Sequence, residues 1–247
     1  ALDDFPHLEL KLRKIIIGYL RLGLNIDDVI PGPAASIRTG VHTLCTAVCG
    51  CAACCLGSLD QGEVDFGEDV VIVGGGIMGQ LHNVLCKKRG ARTILMEPDP
   101  ARREMAKKMG ADVVVDPTQC DPIQTILELT GGRGAHVCFY TVNVLSLAQD
   151  YLECLAKRGR MVYYGSFHPS GPIQIDPNKI HYSEKRITGS YSPTARHFWT
   201  ASRLLGYHLI DVEPFITERY AMEDCQTAFE RASSPETYRV LIDLSGD

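Results

Sequence analysis

The stretch DVVIVGGGIMGQL, Asp69–Leu81, constrains the fold of this chain more than any other. An unbroken β-branched run is what a strand buried on both faces requires. It runs directly into glycines and then into residues with helical spacing. Gly74, Gly76 and Gly79 form G-x-G-x-x-G at that junction, the context in which the pattern carries meaning. Gly74 permits the tight turn, Gly76 lets a pyrophosphate approach the backbone, and Gly79 lets helix pack on strand. Backbone N–H groups near Ile77 and Met78 then face the phosphates, aided by the positive end of the helix dipole. The alternative is a bare strand–helix turn that binds nothing.

Glu97 ends the second expected strand, 18 residues after Gly79 (97 − 79). A carboxylate there accepts hydrogen bonds from the ribose 2′-OH of NAD and repels the 2′-phosphate of NADP. Arg102 and Arg103 act against that selection, because a nearby arginine accommodates the phosphate. NAD is the expected cofactor and NADP the disfavoured one.

The pattern continues as alternation. Helices are expected over 77–90, 99–110, 121–132, 144–159 and 194–208, and strands over 92–97, 112–116, 136–141, 160–165 and 185–191. Asp99 caps its helix, Pro100 suits the first helical position and Gly110 stops it. Repeated strand–helix alternation with apolar strands implies an α/β fold with a parallel, doubly wound sheet. The end of the chain differs, with a capped helix over 222–234 and a closing strand over 237–244. Upstream of Gly67 the pattern is poor. Residues 8–13 alternate like a strand, 14–24 fit strand or helix, 29–36 read as a turn, and 41–56 are small and apolar without a clear period.

With 45% hydrophobic residues in 247, a sizeable core can form. A formal net charge of −5 offers no electrostatic footprint for nucleic acid or an anionic membrane. The first residues carry acids where a signal peptide wants bases, and the apolar run Leu44–Gly57 is shorter than a bilayer span. Ten cysteines without a secretory signal read as reduced thiols, so a soluble, cytoplasmic protein is expected.

From about Glu63 to Leu244 the chain resembles the medium-chain dehydrogenase/reductase family, in its zinc alcohol and sorbitol-type sugar-alcohol branch. The matching blocks are FGEDVVIVGGGIMGQLH, MEPDPARREMAKKMGADVVVDP, TGGRGAHVCFYTV, LAKRGRMVYYGSF and TYRVLIDL. The resemblance implies a coenzyme-binding (Rossmann) half over 66–216. It also implies a partial, truncated catalytic-domain remnant with a linking helix over 1–65, and a helix and strand over 217–247 returning to the catalytic side. It places Arg102 beside the adenosine, and Thr141, Val142, Gly165, Ser166, Ser190 and Tyr191 on the nicotinamide side. It places Arg239 at the pyrophosphate, against the alternative of an exposed strand charge. It further implies homodimers or homotetramers through the edge of the sheet, for which the sixth strand is the candidate.

The family's activity needs zinc, which lowers the pKa of a bound alcohol. A catalytic zinc needs about three protein ligands. The Gly-His-Glu run that the family's other half carries does not occur here, and His7 and His42 are the sole histidines upstream of the glycine motif. Cys45, Cys49, Cys51, Cys54 and Cys55 match no paired zinc-knuckle spacing and read best as small buried side chains. No metal ligand and no catalytic residue is therefore assigned. His82 and His136 read as core or surface histidines. His168, on the loop 166–172, is a candidate cofactor or substrate contact, and the Tyr182–Lys185 spacing is one residue short of a Tyr-x-x-x-Lys pair. Three functions follow. The first is NAD-dependent hydride transfer between a secondary alcohol or polyol and nicotinamide. The second is a non-catalytic NAD-binding module or dehydrogenase fragment. The third is a scaffold without nucleotide affinity.

Overall fold

The computed structural model describes residues 38–243, with side chains over 48–242. The readings over 8–13, 14–24 and 29–36, and the histidine at 7, lie outside it. The side chains of His42 and Cys45 also lie outside.

The described residues begin with a 25-residue helix, α1 (Arg38–Gly62), which carries the cysteine-rich stretch. It leads into β1 (Asp69–Val73), α2 (Ile77–Lys88), β2 (Arg92–Met96), α3 (Pro100–Lys108), β3 (Val113–Val115) and α4 (Pro122–Leu129). Then come β4 (Ala135–Tyr140), a single turn α5 (Leu145–Ala148), β5 (Leu155–Tyr163), α6 (Pro177–Ser183), β6 (Arg186–Gly189) and α7 (Ala195–Gly206). The chain closes with β7 (Ile216–Ala221), α8 (Cys225–Ala232) and β8 (Arg239–Asp243).

Six strands form one parallel sheet in the order β3-β2-β1-β4-β5-β6. β7 and β8 pair in a separate two-stranded sheet. The doubly wound expectation is met, and β1 shows why its sequence is apolar throughout. Val70 and Ile72 join one core cluster with α1, α2 and α7, while Val71 and Val73 join the other with Ile126 of α4. Alternate side chains of one strand thus feed two cores, and each is removed from water.

Local chemistry sets the helix ends. Asp99 Oδ1 accepts from Arg102 N at 2.9 Å, and Asp121 Oδ1 accepts from Ile123 N and Gln124 N. Thr194 caps α7 in a capping box closed by the His197 side chain. Gly90 and Gly110 end α2 and α3 at positive φ.

The helix expected over 144–159 is corrected. Only α5 and one 3₁₀ turn (Asp150–Leu152) form, and β5 starts at Leu155. Arg158 takes a left-handed φ of 62°, and a Cβ at Gly159 would lie 2.8 Å from Ala156 O. The strand therefore starts, kinks and resumes, leaving a bulge against β4. The cap expected on the 222–234 helix is not made either. A 3₁₀ turn (Met222–Asp224) precedes α8, and Asp224 caps nothing with its side chain. Among the described residues no helix is long and apolar enough to cross a membrane.

Candidate functional site

Register builds the site. Met96, Val73, Tyr140, Tyr163 and Gly189 form one row of paired residues at the carboxyl ends of their strands. The residues that follow them are Glu97, Gly74, Thr141, Tyr164 and Ser190. Strand order reverses between β1 and β4, and ligands of open α/β sheets bind in the crevice at such a switch point.

Gly74 has φ 104°, and a Cβ there would lie 2.6 Å from Val142 Cγ1 and 2.9 Å from Thr141 Oγ1. Thr141 and Val142 thus wall the turn directly. A Cβ at Gly79 would lie 1.9 Å from Gly74 O, so only glycine lets α2 approach β1 this closely. Gly76 is different. It is the N-cap of α2 with no side-chain cap, and a Cβ there would meet only Arg102 Nη1, at 3.9 Å. The first-turn N–H groups of Ile77 and Met78 have no helical acceptor, so they are available to an anion lying over Gly76.

Glu97 is 4% exposed. Its Oε2 accepts from Gly75 N at 2.6 Å and its Oε1 from Asp99 N at 2.8 Å. The carboxylate therefore fastens the glycine loop to the start of α3, and two of its roughly four acceptor positions are filled. Both arginines are engaged. Arg102 Nη2 donates to Pro235 O, and Arg103 donates to Glu97 O and pairs with Asp116 Oδ2 at 2.9 Å.

Gly165 packs on Val142, its would-be Cβ 2.8 Å from Val142 O. Thr141 Oγ1 donates to Val73 O at 2.7 Å, and Ser190 N donates to Tyr163 O at 3.1 Å. Ser166 and His168 are exposed, and Tyr191 is 93% exposed. The structure thus brings Gly74, Gly76, Gly79, Glu97, Arg102, Thr141, Val142 and Gly165 together and leaves Tyr191 out in solvent. Arg239 opens β8, and its Nη2 meets Cys51 Sγ of α1. Its Nε is buried without a partner.

Gln80 carries no role in the sequence reading and proves central to the loop. Its Nε2 donates to Gly75 O at 3.1 Å and Arg102 O at 3.0 Å, and reaches Tyr238 Oη at 3.4 Å. It ties glycine loop, α3 and β8 together. A polar residue directly after Gly79, on the buried side of an amphipathic helix, was the available signal. His82 is fully buried between Phe139 and Tyr164, and burial lowers its pKa to about 4. Its Nδ1 donates to Met78 O at 2.7 Å, while its Nε2 is buried without a partner, which disfavours a proton there. His136 Nδ1 accepts from Asp69 N at the opposite end of the sheet, far from the crevice in register. Among the described residues no group of three or more His, Cys, Asp and Glu is placed to hold a metal ion.

The comparisons agree with this geometry. The family profile described as zinc-binding dehydrogenase matches residues 78–206. L-threonine 3-dehydrogenase of Pyrococcus furiosus is 32% identical over 184 residues, covering 72% of this chain and 52% of that protein. Sorbitol dehydrogenase of Halalkalibacterium halodurans is 26% identical over 208 residues, covering 83% and 60%. The chain thus spans between half and two thirds of the length of these curated relatives. A zinc-binding dehydrogenase structure from Sinorhizobium meliloti 1021, bound to NADP, superposes with a TM-score of 0.74 at 25% identity, covering 79% of this chain and 58% of that one. An alcohol dehydrogenase from Thermus sp. ATN1 shares the fold at a TM-score of 0.73 and 20% identity, covering 79% and 56%. With the sheet order, the glycine loop and the profile match in agreement, this chain belongs to the zinc-binding, medium-chain dehydrogenase family and carries its coenzyme-binding half.

Proposed function

We propose that the chain binds NAD in the β1/β4 crevice and serves an oxidoreductase that moves a hydride between a secondary alcohol or polyol and the nicotinamide. The observation that carries this is the open face of Gly76 beside the buried carboxylate of Glu97. The N–H groups of Ile77 and Met78 hold the phosphates, and the remaining lone pairs of Glu97 take the ribose hydroxyls. The same charge opposes a 2′-phosphate, and Arg102 and Arg103 already have acceptors. One relative's structure holds NADP; the acid at position 97 argues for NAD here. Arg239 has an unpartnered Nε and adds positive charge near the pyrophosphate.

Bound NAD supplies the hydride acceptor at its nicotinamide. The chain's own part is positional. Thr141 has spent its hydroxyl proton on Val73 O and presents only acceptor lone pairs. Gly165, closed against Val142, keeps that wall thin. Ser166 and Ser190 follow on the same side, while Tyr191 stays in solvent. Among the described residues no ligand set fits zinc.

NADH formation from NAD with sorbitol or L-threonine tests the enzyme reading. Turnover supports it. NADH binding without turnover of any secondary alcohol overturns it in favour of a binding module. A second copy pairs along the outer edge of β6, the end strand of the sheet. Light scattering of the purified protein then gives an even multiple of the monomer mass, and a monomer mass contradicts it.

A further inference from the structure

Cys51 and Cys54 are three residues apart on α1, so their side chains share one helix face. Both are partly exposed, whereas Cys49 and Cys55 beside them are buried. Cys51 Sγ meets Nη2 of Arg239, an arginine 188 residues away, whose Nε has no partner. Cys54 is the contrasting member. Burial raises its pKa, negative charge at Cys51 raises it further, and a hydrogen bond with Tyr164 opposes both. One sulfur therefore lies against a fixed cation, next to a second sulfur kept as a thiol.

We propose that Cys51 and Cys54 form a peroxide-sensitive dithiol, with Cys51 the attacking sulfur, Arg239 its positioning residue and Cys54 the resolving sulfur. The co-reactant class is a hydroperoxide. The Cys51 thiolate attacks the distal peroxide oxygen, an S–O bond forms and the O–O bond breaks. The leaving alkoxide or hydroxide takes a proton, giving an alcohol or water. Cys54 sulfur then attacks the Cys51 sulfenic acid. The S–S bond forms, the S–O bond breaks, and the hydroxide leaves as water with the Cys54 proton. Two thiols lose two electrons in total, and the peroxide gains them. Arg239 Nη2, in contact with Cys51 Sγ, holds that sulfur in place for the attack.

Side chains three apart on a helix hold their Cβ atoms about 5–6 Å apart, whereas a disulfide wants roughly 3.5–4.5 Å. Closing the bond tightens one turn of α1 and draws Cys51 from Arg239. The next thiol, Cys55, donates to Met78 O in the first turn of α2, which links that movement to the glycine loop. The consequence for cofactor affinity rests on the nucleotide reading; the sulfur chemistry does not.

The experiment uses the reduced, purified protein and limiting hydrogen peroxide without nucleotide. Remaining thiols are alkylated and mapped by mass spectrometry. The expected result is a Cys51–Cys54 crosslink formed before any change at Cys120, the one exposed cysteine among the described residues. In Cys54→Ser, dimedone labels Cys51. Arg239→Gln slows that labelling about tenfold, and Arg239→Lys restores most of it. Cys120 reacting first in the wild-type protein overturns the proposal, and this needs no variant to fold. Labelling unchanged in Arg239→Gln overturns the role of the arginine. In a separate titration the oxidised protein binds NADH several-fold more weakly, and dithiothreitol restores it. Equal affinity before and after oxidation overturns the coupling. A reduced protein that binds no NADH overturns the nucleotide reading while the crosslink map still decides the dithiol.

Discussion

At Gly79 a single Cβ decides whether the cradle exists. With Gly74 O 1.9 Å from where that atom would sit, Gly79→Ala must part α2 from β1. We expect a loss of about 1–3 kcal/mol of stability and of NADH binding, read by chemical denaturation and titration. Glu97→Gln asks a subtler question. The amide has one acceptor oxygen where the carboxylate uses two, so either Gly75 N or Asp99 N loses its partner. Stability should fall by about 1–3 kcal/mol, and relative preference should move toward NADPH. An unchanged NADH-to-NADPH ratio would remove Glu97 from cofactor selection.

His82 gives a pH signature. Its folded pKa is lowered by burial to about 4, below the unfolded value of roughly 6.5. Between those values the unfolded chain binds more protons, so stability rises with pH there. The contribution is full above pH 6.5 and is lost as pH falls toward 4, on the order of 3 kcal/mol in all. Urea midpoints at pH 7 and pH 5 should differ in the wild type and much less in His82→Gln; equal slopes in the two proteins would refute it. The glycines and Glu97 were legible because motif and context lie within 29 residues (69 to 97). The Cys51–Arg239 contact was not, because 188 residues separate its members.

Elements were legible where capping chemistry is local. Asp99, Asp121 and Thr194 each sit before an apolar period and each caps its helix. Asp121→Ala should therefore cost about 1 kcal/mol, while Asp224→Ala, which removes no side-chain cap, should cost almost nothing. Comparable denaturation midpoints for the two variants would contradict this. The segment 144–159 misled because its apolar spacing suits a helix while pairing with β4 decides otherwise. Tertiary hydrogen bonds outweigh local propensity there, as propensity is the weaker term. The family resemblance implied a linking helix upstream of residue 66, but periodicity did not show α1, for a related reason. Buried among α2, α7 and the sheet, it is apolar on several sides and shows no period.

Across the whole molecule, strand order converts sequence spacing into a site. Residues that follow β1, β2, β4, β5 and β6 are scattered from 74 to 190 in the chain, and the register sets them along one edge. Alternation in the sequence predicted a parallel sheet, and the family resemblance placed the ring-side residues on its carboxyl edge. Neither gave the network of Gln80, Arg102 and Tyr238 that anchors β8 to the glycine loop, since that depends on how the two sheets meet. The measurement that bears most directly on the account is a fluorescence titration of the purified protein with NADH, with NADPH in parallel. Saturable NADH binding, tighter than NADPH, is the predicted result. No binding of either nucleotide would mean that the glycine loop is only a turn and that the chain keeps its family's fold without its cofactor.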